Sequence, residues 1–495
     1  MRKFVFSATL LLVASQFFSR ILGLLRERAL AEVFGSGGTG IWNLDLYLAA
    51  FRFPDLIYNL LIFGALSAAF VPILAQAKNQ KELNRIGSSV LSFLLISVLA
   101  LTSGLFLFAE PLVKILTPGF SPSELALTTQ LLRLQLLAPI FLTFSGVFGG
   151  LAQNAHKFFW YALAPLFYNL GIILGIKFLG PEFGVWGASL GVVGGAAAHA
   201  LIQLPGIWQM GFRFHFVFLT NKLRAFRTLA YPRILSLTLL QFIPIGITML
   251  ASIIGAGALA IFNYAWNLAS LPFGLIGLTF ATTSFARLAQ LANSSQMSAE
   301  FRQKFQENFC GILFWILPAS LGLYCLSFEI VRLILVTGNF DLTDATSVAT
   351  SLKILSLAVP CLSLWPFLNN VFFAQKNTRT PLFAALIACL LVLGLSLPVI
   401  ELGVHGLALI FGAAYCGGTL FLFFALPKTL RQIPQFFKIV LLNIIFGFLL
   451  FGATNLWPAV SFLAVLLKTA SITILGGLSY LILGHKLKLN FWRKF

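Results

Sequence analysis

The stretch Gly35-Ser36-Gly37-Gly38-Thr39-Gly40-Ile41-Trp42-Asn43 returns 220 residues later as Gly255-Ala256-Gly257-Ala258-Leu259-Ala260-Ile261-Phe262-Asn263. Outward from it, Pro54 has a counterpart in Pro272, and Ala75-Gln76 in Ala289-Gln290. Thr117-Pro118-Gly119-Phe120 resembles Thr337-Gly338-Asn339-Phe340, and Leu132-Arg133 matches Leu352-Lys353, both again offset by 220. Gly184-Val185-Trp186-Gly187 matches Gly403-Val404-His405-Gly406 at 219. A single match between two Gly- and Leu-rich stretches carries little weight. A near-constant offset along most of each half implies a duplicated unit.

The composition says what kind of unit. Of 495 residues, 59 % are hydrophobic and only 9 % charged, with a mean hydropathy of +0.95. A soluble domain carries about 25 % charged residues, so this chain has too few to coat a water-facing surface. That excludes a cytosolic enzyme, a secreted disulfide scaffold and a disordered chain, and leaves an all-α polytopic membrane protein. Apolar stretches and their breaks give about fourteen spans of ~20 residues or more. They lie at about 6–32, 41–74, 87–110, 125–152, 159–179, 184–208, 229–253, 257–285, 308–328, 344–374, 381–399, 404–426, 435–455 and 460–483. The repeat then divides the chain into an N-terminal lobe at 1–208 and a C-terminal lobe at 229–426, each of six helices. Six is even, so both lobes insert in the same orientation, related by an axis along the membrane normal. The helices at 435–483 have no counterpart, and 484–495 is a basic tail.

Arg2 and Lys3 precede an apolar run, and Ala29-Leu30-Ala31 resembles a cleavage site, but Arg20, Arg26 and Arg28 interrupt it. A signal peptide's apolar region carries no such charges, so the reading is an uncleaved first helix. The net charge of +19 sorts by side. With the N-terminus in the cytoplasm, 23 of the 33 basic residues fall inside, and only Lys114, Lys177 and Arg332 outside. This is the positive-inside pattern. It places both termini and the 209–228 loop in the cytoplasm and argues against a nucleic-acid partner. The five cysteines are odd in number and form no C-x-x-C, so they read as core residues.

No enzyme signature is present. His156, His199, His215, His405 and His485 are scattered, no P-loop occurs, and the soluble segments are too short for a catalytic domain. No catalytic residue, metal site or cofactor is expected. The informative residues are charges within spans, which cost at least ~2.5–3.5 kcal/mol at the bilayer centre and therefore face a cavity or a partner. The first span holds Ser19, Arg20, Arg26, Glu27 and Arg28; the second holds Asp45, Arg52 and Asp55. One reading is internal pairing: Asp45 and Arg52 are seven apart, on one helix face, and Glu27 has basic neighbours. The other is a hydrated cavity for an anion, since arginine's planar fork suits diphosphate or carboxylate. The candidate binding residues are Ser19, Arg20, Arg26, Asp45, Arg52 and Asp55. In the C-terminal lobe the one clear intramembrane charge is Lys353, with Asn263, Asn267, Asn369 and Asn370 nearby, so no carboxylate-based cation site is expected there. Prolines at repeat-equivalent places, Pro54/Pro272 and Pro139/Pro360, mark candidate hinges.

These residues carry a resemblance. Phe18-Ser19-Arg20-Ile21-Leu22-Gly23-Leu24-Leu25-Arg26-Glu27 resembles the first-helix motif of the MurJ (MviN) lipid II flippases, and Ala50-Phe51-Arg52-Phe53-Pro54-Asp55-Leu56, with Asp45, the second-helix motif. Gly64-Ala65-Leu66-Ser67-Ala68-Ala69-Phe70-Val71-Pro72-Ile73-Leu74-Ala75 is the most specific stretch. Thr117-Pro118-Gly119-Phe120, Ala164-Pro165 with Asn169-Leu170, Gln203-Leu204-Pro205 and Lys376-Asn377-Thr378-Arg379-Thr380-Pro381 follow in order. The resemblance implies a fourteen-helix member of the multidrug/oligosaccharidyl-lipid/polysaccharide exporter superfamily. It implies alternating access in a bacterial inner membrane, working as a monomer among membrane lipids. The substrate would be lipid II, an undecaprenyl-diphosphate-linked disaccharide peptide, carried to the outer leaflet, with the last two helices grooved for its tail. It also implies cavity arginines: Arg20 and Arg26 stand at the first-helix positions, whereas Tyr58 and Asn267 stand where arginines are expected, and Phe63 and Ser270 where acids are. The rival readings are an exporter of another lipid-linked saccharide or of drugs, and a non-transporting membrane scaffold.

Overall fold

The computed structural model describes residues 2–60, 66, 70–217, 220–292, 299–456, 461–487 and 489, without the side chains of 2–9, 71–72, 220–225 and 227–237. Phe63, much of the 64–75 motif, and Lys488, Arg493 and Lys494 of the 484–495 tail lie outside the described residues. Among the described residues the chain is helical throughout, with one isolated bridge between Thr337 and Phe340.

Two compact units form. The first comprises Met1–Ala260 and Thr337–Phe340, the second Ile261–Val336 and Asp341–Phe495. The first contains α1 (Arg2–Phe34), α2 (Leu44–Ala50), α3 (Arg52–Ile57), α4 (Gln80–Leu107), α5 (Pro122–Asn154), α6 (Phe158–Phe183), α7 (Val185–Gln209) and α8 (Thr220–Ile254). The chain crosses to the second unit within α9 (Ala258–Ala292) and continues as α10 (Ala299–Cys325), α11 (Ser327–Leu335) and α12 (Leu342–Ala374). There follow α13 (Arg379–Gly394), α14 (Val404–Ala425), α15 (Lys428–Leu456) and α16 (Phe462–Lys486). Among the described residues, ten of these are long and apolar enough to cross a membrane; α13 and the Thr238–Ile254 part of α8 are shorter apolar helices.

The duplication is written into the backbone. Ser121 and Glu124 form a capping box at the start of α5, and 220 residues later Asp341 and Asp344 form another at the start of α12. Each satisfies two of the free amides that any helix N-terminus leaves. Gly184 enters α7 at φ 58° and Gly403 enters α14 at φ 60°. His156 and Lys376, 220 apart, are the non-glycine residues with positive φ among those described, at 55° and 59°.

The packing boundary differs from the repeat boundary expected in the 209–228 loop. Helix α8, the first element of the second repeat, belongs to the first unit. Arg52 Nε donates to Thr248 Oγ1 at 2.7 Å, and the Gly119 amide donates to Ser252 Oγ at 3.3 Å. Within the same unit, α6 and α7 meet through glycines. A Cβ built on Gly175 would lie 2.4 Å from Gly191 Cα, and one on Gly171 would lie 2.5 Å from Gly195 Cα. Small residues four apart let membrane helices approach this closely and gain dispersion contacts.

In the second unit the two additional helices are tied down by polar contacts. Lys468 Nζ of α16 donates to Glu329 Oε1 of α11 at 2.6 Å, both side chains largely buried. Tyr480 Oη donates to the Phe314 carbonyl at 2.7 Å and accepts from Asn443 Nδ2 at 3.2 Å. All five cysteines are free thiols.

Candidate functional site

A cavity of ≈ 270 Å³ opens inside the first unit. Its polar lining comes from four helical segments: Arg26 from α1, Asp55 and Tyr58 from α3 and the π-helical turn after it, Tyr168 from α6, and His199 from α7. Prolines shape the rest. Pro54 lies in the first turn of α3, where the missing N–H costs nothing. Pro139 restarts α5 after a break at Leu136–Leu137.

Arg26 is held from two sides. Its Nη2 and Nε donate to Glu27 Oε1 at 2.8 and 3.2 Å, and its Nη1 donates to Asn169 Oδ1 at 3.3 Å. Asn169 is itself fixed, donating to Ser19 Oγ at 3.3 Å and to the Pro165 carbonyl at 3.0 Å. A guanidinium has five N–H donors. Three are engaged, which leaves one on each terminal nitrogen for the oxygens of a carboxylate or phosphate. Glu27 is 3 % exposed, and its second oxygen has no hydrogen-bond partner among the described residues.

The six sequence-predicted residues separate here. Arg26 and Asp55 share the cavity, and Ser19 supports it through Asn169. Arg20 is half-buried on α1 and does not line it. Arg52 turns to Thr248. Asp45, fully buried, accepts from the Gly257 amide at 2.8 Å and the Ala260 amide at 2.7 Å. It therefore caps the start of the helix beginning at Ala258, where free amides and the helix dipole favour a carboxylate. The Asp45–Arg52 pairing suggested by their spacing does not form: both carboxylate oxygens are taken by backbone amides. Tyr168, His199 and Asn169 were not selected from the sequence. Asn169 lay in a quoted motif, but a lone amide or imidazole in an apolar span gives no charge signal.

The second unit holds an apolar cavity of ≈ 530 Å³ between α9, α10, α15 and α16, walled by Pro272, Trp315, Pro318, Leu450 and Tyr480 among others. Asn267, at the expected arginine position, accepts Ser270 Oγ on its carbonyl at 2.9 Å. Asn370 Nδ2 donates to the Ala281 carbonyl at 2.8 Å.

Against known proteins, the family model described as lipid II flippase MurJ matches residues 30–475. The chain belongs to the MurJ lipid II flippase family. A probable lipid II flippase MurJ from Thermotoga maritima is 30 % identical over 447 residues, covering 89 % of each chain. The lipid II flippase MurJ of Thermosipho africanus is 28 % identical over 453 residues, covering 90 % of each. The solved lipid II flippase MurJ in an inward closed conformation superposes with a TM-score of 0.79 at 26 % identity, over 96 % of this chain and 98 % of that one. An inward-facing MATE-family multidrug resistance transporter of the MOP superfamily shares the fold at TM-score 0.63 and 15 % identity, over 88 % of this chain and 96 % of that one. MurJ proteins are lipid II flippases, a transporter family.

Proposed function

We propose that this chain moves lipid II from the inner to the outer leaflet of a bacterial cytoplasmic membrane by alternating access, for cell-wall synthesis. The observation that carries the reading is Arg26. It lies at an intramembrane cavity, is held by Glu27 and Asn169, and keeps two N–H donors for a ligand. Lipid II supplies the matching acceptors in its diphosphate and peptide carboxylates, and its polyprenyl tail suits the apolar cavity walled by Trp315 and Tyr480. Asp55 and Tyr58, beside Arg26, would accept from and donate to the sugar hydroxyls. Arg20 and Arg52 would engage the head group as the cavity changes shape. Asp45 would hold the start of α9 rather than touch substrate.

The charge distribution supports cytoplasmic termini and a loop at 209–228 on the same side. A monomer among membrane lipids, without nucleic acid, is sufficient for this activity. Binding is tested with the purified full-length chain and lipid II. Wild type binds, and Arg26→Ala binds roughly ten- to hundredfold more weakly, the worth of one charge-assisted hydrogen bond. Equal binding by a folded Arg26→Ala variant removes the diphosphate role.

A further inference from the structure

Two helices of the first unit mark the same membrane boundary independently. In α4 no charge follows Arg85 up to the helix end at Leu107, and in α5 none follows Arg133 up to the helix end at Asn154. These uncharged runs are 22 and 21 residues, or ~31–33 Å at 1.5 Å per residue, enough to cross a hydrocarbon core of ~30 Å. The helices are antiparallel. Arg133 reaches Phe106 at the end of α4, while Gly87 at its start lies near Leu151 at the end of α5. Arg85 and Arg133 therefore stand at opposite membrane surfaces, and Arg133 sits at head-group depth.

At that depth Arg133 is only partly used. Its Nε donates to the Phe106 carbonyl at 3.4 Å, and its guanidinium lies 5.2 Å from the centre of the Phe106 ring. Capping the end of α4 explains these contacts but not the rest. Both terminal nitrogens keep their donors, and no ion pair among the described residues includes Arg133. Arg133 lines a groove of ≈ 340 Å³ between α4 and α5, together with Ser103, Leu99, Leu137 and Ile140. Leu99 is seven residues before Phe106, ~10 Å deeper in the membrane.

We propose that this groove binds an anionic diacyl phospholipid. Its phosphate sits on the terminal nitrogens of Arg133 with a hydrogen bond from Ser103, and one acyl chain lies along Leu99, Leu137 and Ile140. Charge complementarity selects the head group: the groove has a cation and no carboxylate among its lining residues, so the ammonium of a zwitterionic lipid finds no partner. In the orientation proposed above this is the outer leaflet. The site is separate from the Arg26 cavity and does not depend on its role.

Native mass spectrometry of the purified full-length chain, with phosphatidylglycerol, phosphatidylcholine or inorganic phosphate added, tests it. Wild type retains phosphatidylglycerol in preference to phosphatidylcholine. Arg133→Gln loses about tenfold of that retention, and Arg133→Lys loses less, keeping the charge but not the fork. Leu137→Trp, which fills the groove at an exposed position, also loses retention. Unchanged retention in Arg133→Gln or in Leu137→Trp overturns the proposal. So does displacement of the lipid by inorganic phosphate, which leaves an ion site only, or by equimolar undecaprenyl diphosphate, which assigns the groove to the transported lipid.

Discussion

Arg26 lies between Glu27 and Asn169, so removing it has two separable effects. The first is on stability. Arg26→Ala leaves the Glu27 carboxylate buried without its cation, and breaking one side of a buried pair typically costs ~3–5 kcal/mol. Thermal unfolding in detergent should drop accordingly, and adding Glu27→Gln should restore most of it. The second effect is on transport, which the Arg26→Ala/Glu27→Gln double variant should still lack because the fork is gone. Arg26→Lys should complement a flippase-depleted host only in part. Full complementation by the folded double variant would make the arginine a structural partner alone. At this scale the sequence was legible where a charge interrupted an apolar run, as with Arg26 and Asp55. It was not legible where the role depends on distant chain. Asp45 caps amides 212 and 215 residues away, Arg52 meets Thr248, and Asn169 reaches α1 from α6.

Elements were legible in proportion to their repetition. The turn entering α7 and the one entering α14 share a glycine and a backbone conformation, and both capping boxes directly follow the quoted repeat at 117–120 and 337–340. The packing of α8 with the first unit was not, because sequence offset records ancestry while unit membership records contacts. Two predictions belong here. Gly175→Leu should force α6 from α7, since even a Cβ meets backbone at 2.4 Å. A cost of at least ~1–3 kcal/mol is expected, together with loss of transport as Tyr168 and His199 move apart. Unchanged melting and activity would contradict that packing. At the other end, Lys468→Met should leave Glu329 buried and unpaired, lowering stability by ~3–5 kcal/mol. Lys468→Met/Glu329→Leu should be milder than either single change. Denaturation of the four proteins as a double-mutant cycle measures the coupling.

For the whole molecule, the excess of basic residues on one side of the spans predicts the topology, which cysteine labelling of intact cells can read: 209–228 inaccessible and 117–123 accessible. The apolar cores of the spans between Ala258 and Ala425 hold no Asp or Glu apart from flanking groups such as Glu307 and Glu329, so transport should not saturate with sodium. A sodium dependence lost on changing Asn369 or Asn370 would contradict this. The central claim joins these scales: a MurJ-family chain moves lipid II with Arg26 as its grip. The most direct measurement is the amount of lipid II exposed in the outer leaflet of cells depleted of their own flippase. Cells expressing this chain should recover outer-leaflet lipid II, while cells expressing the Arg26→Ala/Glu27→Gln variant at equal membrane level should not. Recovery with both proteins would contradict the grip, and recovery with neither would contradict the function.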